Sequence, residues 1–134
     1  MMRVFVDSFY FFAILNPSDA AHASAVEFSK HNSASLVTTA AVLTEVADGL
    51  ARSAHRGALR RIIASFRANE SHEIVAMNDA LFERAVELDD ARRDKQWSLT
   101  DCISFVVMND QGLREALTGD HHYEQAGFKA LLRS

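Results

Sequence analysis

The chain has 134 residues, 49% hydrophobic and 24% charged, which suits one domain with a substantial core and excludes intrinsic disorder. Its net charge of −4 excludes nucleic-acid binding by bulk electrostatics alone, while leaving room for a local acidic site flanked by basic residues. The single cysteine, Cys102, cannot form an internal disulfide, so a reducing cytoplasm is the expected compartment.

The first element is Arg3 to Val6, a short apolar run that reads as a buried strand ending at Asp7. Asp7 also interrupts "MMRVFVDSFYFFAIL", and no small-residue cleavage site follows, so the run is not a signal peptide. No stretch is long enough to span a bilayer. Ser8 to Leu15 reads as a helix stopped by Asn16 and Pro17, and Ser18 as the N-cap of a second helix reaching Lys30. "ASLVTT" is a second strand. Thr39 caps the next helix, where Val42, Val46 and Leu50 recur at four-residue spacing. A further helix covers Arg56 to Arg67, with Leu59, Ile62, Ile63 and Phe66 as its apolar stripe. "HEIVAM" is a third strand, and Asp79 caps a helix through Arg93. "WSLTDCISFVVMNDQG" opens on a serine cap and stops at Gly112. "REALT" and "FKALL" supply a fourth strand and a short fifth. Strands alternating with helices imply a parallel sheet with crossover helices, a three-layer α/β domain spanning 1–134.

Ligand sites in such sheets lie at the carboxyl ends of the strands. Asp7 follows the first strand and Asp120 the fourth. Glu45 lies a turn and a half into its helix, and Asp101 sits in the first turn of another. Four carboxylates on one rim repel each other unless a cation binds, and oxygen-rich sets suit Mg2+ or Mn2+. Each acid also has a plain reading. Ser98 and Asp101 match a capping box, although Glu or Gln is the usual partner. Glu45 alone is a solvated helix carboxylate, and Asp120 alone is a turn residue after Gly119. Asp120 is followed directly by His121 and His122, and imidazoles would suit zinc instead.

Four segments, "VFVDSFYFFAIL", "TTAAVLTEVADGL", "WSLTDCISFVVM" and "ALTGDHHYEQAGF", resemble in order the four acidic motifs of PIN-domain ribonucleases, above all small bacterial members of the VapC toxin type. The resemblance implies an α/β/α PIN-like fold around four to five parallel strands. It also implies a metal-dependent endoribonuclease with Asp7, Glu45, Asp101 and Asp120 around Mg2+ or Mn2+. Ser8 or Thr100 would help orient the site, or simply cap its helix, and His121 would face the groove or the solvent. Homodimers and inhibition by a small antitoxin protein are common among such toxins. Other PIN domains are stand-alone RNA-processing nucleases, or idle modules that only bind RNA or a partner.

Arg52, Arg56, Arg60 and Arg67, with Arg61 nearby, fall at helical spacing and form either a basic ridge for RNA or a partner, or a solvated face. Four consecutive aromatics, Phe9 to Phe12, cannot share one helix face, so at least one is expected to be exposed. Trp97 and Cys102 read as buried, and His22, His55 and His72 as surface residues. A phosphoacceptor signalling domain also places acids at strand ends. Asp79 lies near its acceptor position, but no lysine is suitably placed.

Overall fold

The computed structural model describes residues 2–31 and 33–133. In chain order the elements are β1 (Arg3–Val6), α1 (Ser8–Leu15), α2 (His22–His31), β2 (Ser35–Thr39), α3 (Ala40–Leu50) and α4 (Ala58–Ala68), then β3 (Glu73–Val75), α5 (Asp79–Ala91), α6 (Leu99–Gln111), β4 (Glu115–Leu117), α7 (His121–Gln125) and β5 (Lys129–Ala130). All strand pairs are parallel, in the order β3-β2-β1-β4-β5. Val4, Phe5 and Val6 are each 0% exposed. Successive strand residues point to opposite faces, so helices must cover both faces of the sheet at β1. The buried Thr38 hydroxyl donates to the Val6 carbonyl at 2.8 Å, adding a side-chain tie between β2 and β1.

The order of the strands reverses at β1, because β2 and β3 lie on one side and β4 and β5 on the other. A crevice opens at the carboxyl ends of strands wherever such a reversal occurs. Asp7 leaves β1 at that point, and its N–H reaches the Leu117 carbonyl of β4 at 3.4 Å.

Several boundaries move from their sequence-based positions. Ser18 does not cap α2, which starts at His22. The Asn16 and Asp19 carboxamide and carboxylate oxygens accept the Ser18 and Ala21 N–H groups, so side-chain turns occupy this stretch instead of helix. Asn78, one residue before Asp79, caps α5 by accepting the Leu81 N–H at 2.8 Å. Asn and Asp are nearly equal as caps; burial of Leu81 and Ala85 sets the register. The third strand shrinks to three residues at the sheet edge. Arg52 and Arg56 lie in turns before α4, so the expected single ridge of arginines is divided between a loop and a helix.

None of the four aromatics of α1 is exposed, against expectation. Tyr10 and Phe11 enter the core, while Phe9 and Phe12 are half-buried because each lies against a glycine. A Cβ at Gly119 would stand 2.4 Å from the Phe9 ring, and one at Gly49 would stand 2.5 Å from the Phe12 ring. His22 and His72 are half-buried rather than on the surface. The His22 Nδ1 lies 2.8 Å from the Ala13 carbonyl, and the His72 Nδ1 accepts the Leu36 N–H at 3.0 Å. Burial lowers the pKa of His72. Trp97 and Cys102 are buried as expected.

Gly112 ends α6 at φ 67, and a Cβ there would meet nothing within 4 Å. Its requirement is therefore for the left-handed backbone alone. Gly112→Ala is expected to lower stability by about 1 kcal/mol, read as a lower urea midpoint at unchanged slope. An unchanged midpoint would show that this helix end relaxes freely.

Candidate active site

Asp7 is 5% exposed, at the end of the central strand and the start of α1. Its Oδ2 accepts the Thr118 hydroxyl at 2.7 Å. Burial pushes the Asp7 carboxyl up from 3.8 to about 6; the Thr118 hydroxyl opposes this, and the charges of Asp101 and Glu45 add to it. The Tyr123 hydroxyl is fully buried nearby and makes no well-formed hydrogen bond. Burial first, and then the Asp7 charge, hold its pKa far above the usual phenol range.

Glu45 is carried by α3, whose start is fixed by Thr39 accepting the Val42 N–H at 3.0 Å. The Glu45 carboxylate accepts a hydrogen bond from the Ser8 hydroxyl. Ser8 thereby fixes the position of the Glu45 carboxylate. Thr100 is half-buried in the first turn of α6, and its side chain makes no hydrogen bond to the acids.

Asp101 completes a capping box. Ser98 accepts the Asp101 N–H at 3.0 Å, and the Asp101 Oδ2 accepts the Ser98 N–H at 3.1 Å. Burial raises the pKa of Asp101; the Ser98 N–H and His122 oppose it, while the Asp120 and Glu45 charges add to it. Asp120 caps α7, accepting the His122 N–H at 2.9 Å. The structure thus draws all four acids toward the crevice: Asp7, Glu45 and Asp101 act on one another through charge, and Asp120 joins through Asp101.

The residue that links Asp101 with Asp120 is His122, whose Nδ1 lies 3.2 Å from the former and 3.3 Å from the latter. The sequence left His121 facing either the groove or the solvent. His121 lies on the outside, with a side chain 57% exposed and its Nδ1 3.7 Å from Asp120. Thr118 and Tyr123 were not singled out from sequence, and His122 was named only together with His121, as an imidazole that would suit zinc. Their common signal is the two-residue step around Asp120 and the apolar ring placed three residues after it, which becomes informative only once α7 is recognised. Beneath the site, Phe105 contacts Trp97, Tyr123 and Phe128 at centroid distances of 5.0, 4.9 and 5.6 Å. This cluster fixes α6 and α7, the elements that present Asp101 and Asp120.

Among the described residues, no lysine or arginine forms an ion pair with any of the four acids. An acidic set, buried at Asp7 and Asp101 and half-buried at Glu45 and Asp120, with no lysine or arginine partner among the described residues, is the donor chemistry that suits a hard divalent cation. Asp79, in contrast, is exposed at the start of α5 beyond the edge strand, away from the crevice, so the phosphoacceptor arrangement is absent.

Residues 4–129 match the family model of the PIN domain. The chain belongs to the PIN-domain family. This PIN domain is 29% identical over 126 residues to the 23S rRNA-specific endonuclease VapC20 of Mycobacterium tuberculosis, covering 93% of this chain and 95% of that protein. The crystal structure of VapC20, described as a Sarcin-Ricin loop cleaving toxin, superposes with a TM-score of 0.81 at 26% identity, over 93% of this chain and 95% of that one. FitAcB from Neisseria gonorrhoeae shares the fold at a TM-score of 0.62 and 13% identity, over 95% and 94% of the two chains. The PIN domain seen here is therefore homologous to a VapC-type toxin, and its family generally uses divalent metal.

The raised Asp7 carboxyl has a direct consequence for stability. The unfolded chain loses this proton near 3.8 and the folded chain near 6, so stability falls as pH rises through that window and then levels off. Asp7→Asn removes the buried charge while keeping an oxygen for Thr118. The metal-free variant is expected to be more stable than wild type above pH 6, by up to about 3 kcal/mol. The two should converge near pH 4. Urea unfolding at both pH values checks this, and a constant difference would show that Asp7 titrates as an exposed acid.

Proposed function

We propose that this PIN domain is an endoribonuclease that hydrolyses RNA phosphodiester bonds with Mg2+ or Mn2+, and acts as the toxin of a type II toxin–antitoxin pair. The observation that carries the reading is the convergence of Asp7, Glu45, Asp101 and Asp120 on the strand-reversal crevice with no lysine or arginine ion-paired to them among the described residues. These four would hold the ion, which when bound supplies an activated water and offsets charge on the phosphate. Thr118 holds Asp7, Ser8 holds Glu45, and His122 keeps Asp101 facing Asp120. Carboxylates fixed in advance need less reordering when a substrate arrives. The homology to VapC20 supports both the ribonuclease reaction and the toxin role, and 23S rRNA is the first substrate to offer.

Arg60 and Arg67 lie seven residues apart on α4 and are exposed, with no ion pair to an acid among the described residues, which supports contact with RNA phosphates or an acidic partner segment. Arg52 is exposed in the preceding loop, and the Arg56 guanidinium donates to the Ala51 carbonyl at 3.0 Å, tying down that loop. Between α3 and α4 runs a cleft of about 310 Å3 lined by Leu43, Ala47, Leu59 and Ile63, with Arg67 at its rim. An apolar cleft with a basic edge suits a segment of a small antitoxin. Phe82 and Val86, 46% and 37% exposed at i,i+4 on α5, support a homodimer face. No helix among the described residues is long and apolar enough to cross a membrane. Cys102 is buried and burial pushes its thiol up to about 11, consistent with a reduced thiol in the cytoplasm.

Asp7→Asn should lower Mn2+-dependent cleavage of RNA by about a hundredfold or more while RNA is still bound. Full metal-dependent activity in that variant would sink the assignment. Replacing Arg60 and Arg67 with alanine should reduce the slope of log affinity against log salt by about 0.7 for each arginine removed. An unchanged slope would leave α4 as a plain solvated face.

A further inference from the structure

Beside the acidic crevice, Asp120, His121 and His122 each offer a ligand atom, and the three atoms lie within 4.8 Å of one another. The local backbone produces this cluster. Asp120 caps α7 by accepting the His122 N–H, which aims its carboxylate back over the first turn. The two imidazoles then stand with centroids 4.4 Å apart and planes inclined by 49°. Both Nδ1 atoms face the same Asp120 oxygen, at 3.7 and 3.3 Å. Of the four acids His121 contacts Asp120, and among the described residues no ion pair joins it to Asp7, Glu45 or Asp101. Its exposure leaves an open path for an ion from solvent.

We propose that Asp120, His121 and His122 form a second metal site, selective for a zinc-class transition ion and sharing Asp120 with the acidic cluster. Two imidazoles and one carboxylate make the mixed nitrogen and oxygen set that zinc accepts with a fourth position left to water. Mg2+ prefers oxygen throughout and keeps its waters, so the histidine side offers it little. Binding requires each Nδ1 to present a lone pair. A proton on either Nδ1 would move to Nε2 or to solvent when an ion binds. Because the Asp120 charge also acts on Asp101, zinc seated here draws on a carboxylate that also belongs to the crevice. The site is defined by binding alone and does not depend on the nuclease reading.

Calorimetric titration of zinc chloride into the purified, metal-stripped chain tests the proposal. Wild type should bind zinc. Loss of an indirect partner of a metal ligand already weakens binding by about tenfold, so loss of a direct ligand should cost at least that much. His121→Ala, whose side chain is largely exposed and can be removed without unfolding the chain, should therefore bind zinc at least about tenfold more weakly. His122→Ala should do the same, with its thermal midpoint measured to establish that it is folded. Asp7→Asn, in the crevice, should keep the wild-type zinc affinity. Co2+ added to wild type should give visible absorption bands that His121→Ala lacks. No zinc binding by wild type, wild-type affinity in His121→Ala, or a loss confined to Asp7→Asn would each overturn the proposal.

Discussion

The constraint on which the rest of this molecule depends is the burial of the Asp7 carboxylate at the end of the central strand. A carboxylate at that depth is unfavourable unless paired, and it receives a hydroxyl from Thr118 but, among the described residues, no ion pair from a basic side chain. Two further acids add to its charge instead of relieving it. A fold selected for stability alone would place an apolar residue there, as it does at Val4, Phe5 and Val6. The retained charge marks a place where stability is given up for a site. The fully buried aromatic cluster around Phe105 and Tyr123 lies directly beneath and offsets that loss through packing.

Asp101 and Asp120 show that capping and site chemistry need not compete. Each carboxylate closes the N-terminus of its helix, where backbone N–H groups favour negative charge. Asp101 uses Oδ2 for the Ser98 N–H, and Asp120 uses Oδ1 for the His122 N–H. Among the described residues, the second oxygen of each is committed to no hydrogen bond, and ionised carboxylates carry spare lone pairs. The cap thus serves as the positioning device: it fixes the rotamer of an acid whose free oxygen remains available. A capping reading and a metal-site reading of the same aspartate describe two ends of one side chain.

The parts of this arrangement that were legible in the sequence are those set by local chemistry. A strand ending on Asp7, the Thr39 cap, the Ser98–Asp101 box and the left-handed Gly112 each follow from a few adjacent residues. The strand alternation was enough to place the acids on one edge. What sequence could not supply were outcomes of packing. The five-residue α7 is too short to show periodicity, so the sequence did not tell which of His121 and His122 meets Asp101. The aromatics of α1 seemed too many to bury because the glycines that receive Phe9 and Phe12 lie 110 and 37 residues away. The arginines looked like one ridge until turns at 51–57 separated Arg52 and Arg56 from α4.

Gly119 ties these observations to the site itself. It precedes Asp120 and receives the Phe9 ring, which follows Asp7 and Ser8 in α1. The segments 7–9 and 118–120 are thereby joined twice: by the Thr118 hydroxyl on Asp7, and by the Phe9 ring against the bare backbone of Gly119. A hydrogen bond alone would let one segment pivot about the other, and a ring contact alone would let them slide. Together they fix the relation between the acid that leaves β1 and the acid that follows β4. Neither tie requires the two carboxylates to touch, so the space between them stays open for a cation. The glycine that reads in sequence as a simple turn signal is in this fold the seat of the Phe9 ring, and that seat fixes the backbone from which Asp120 follows.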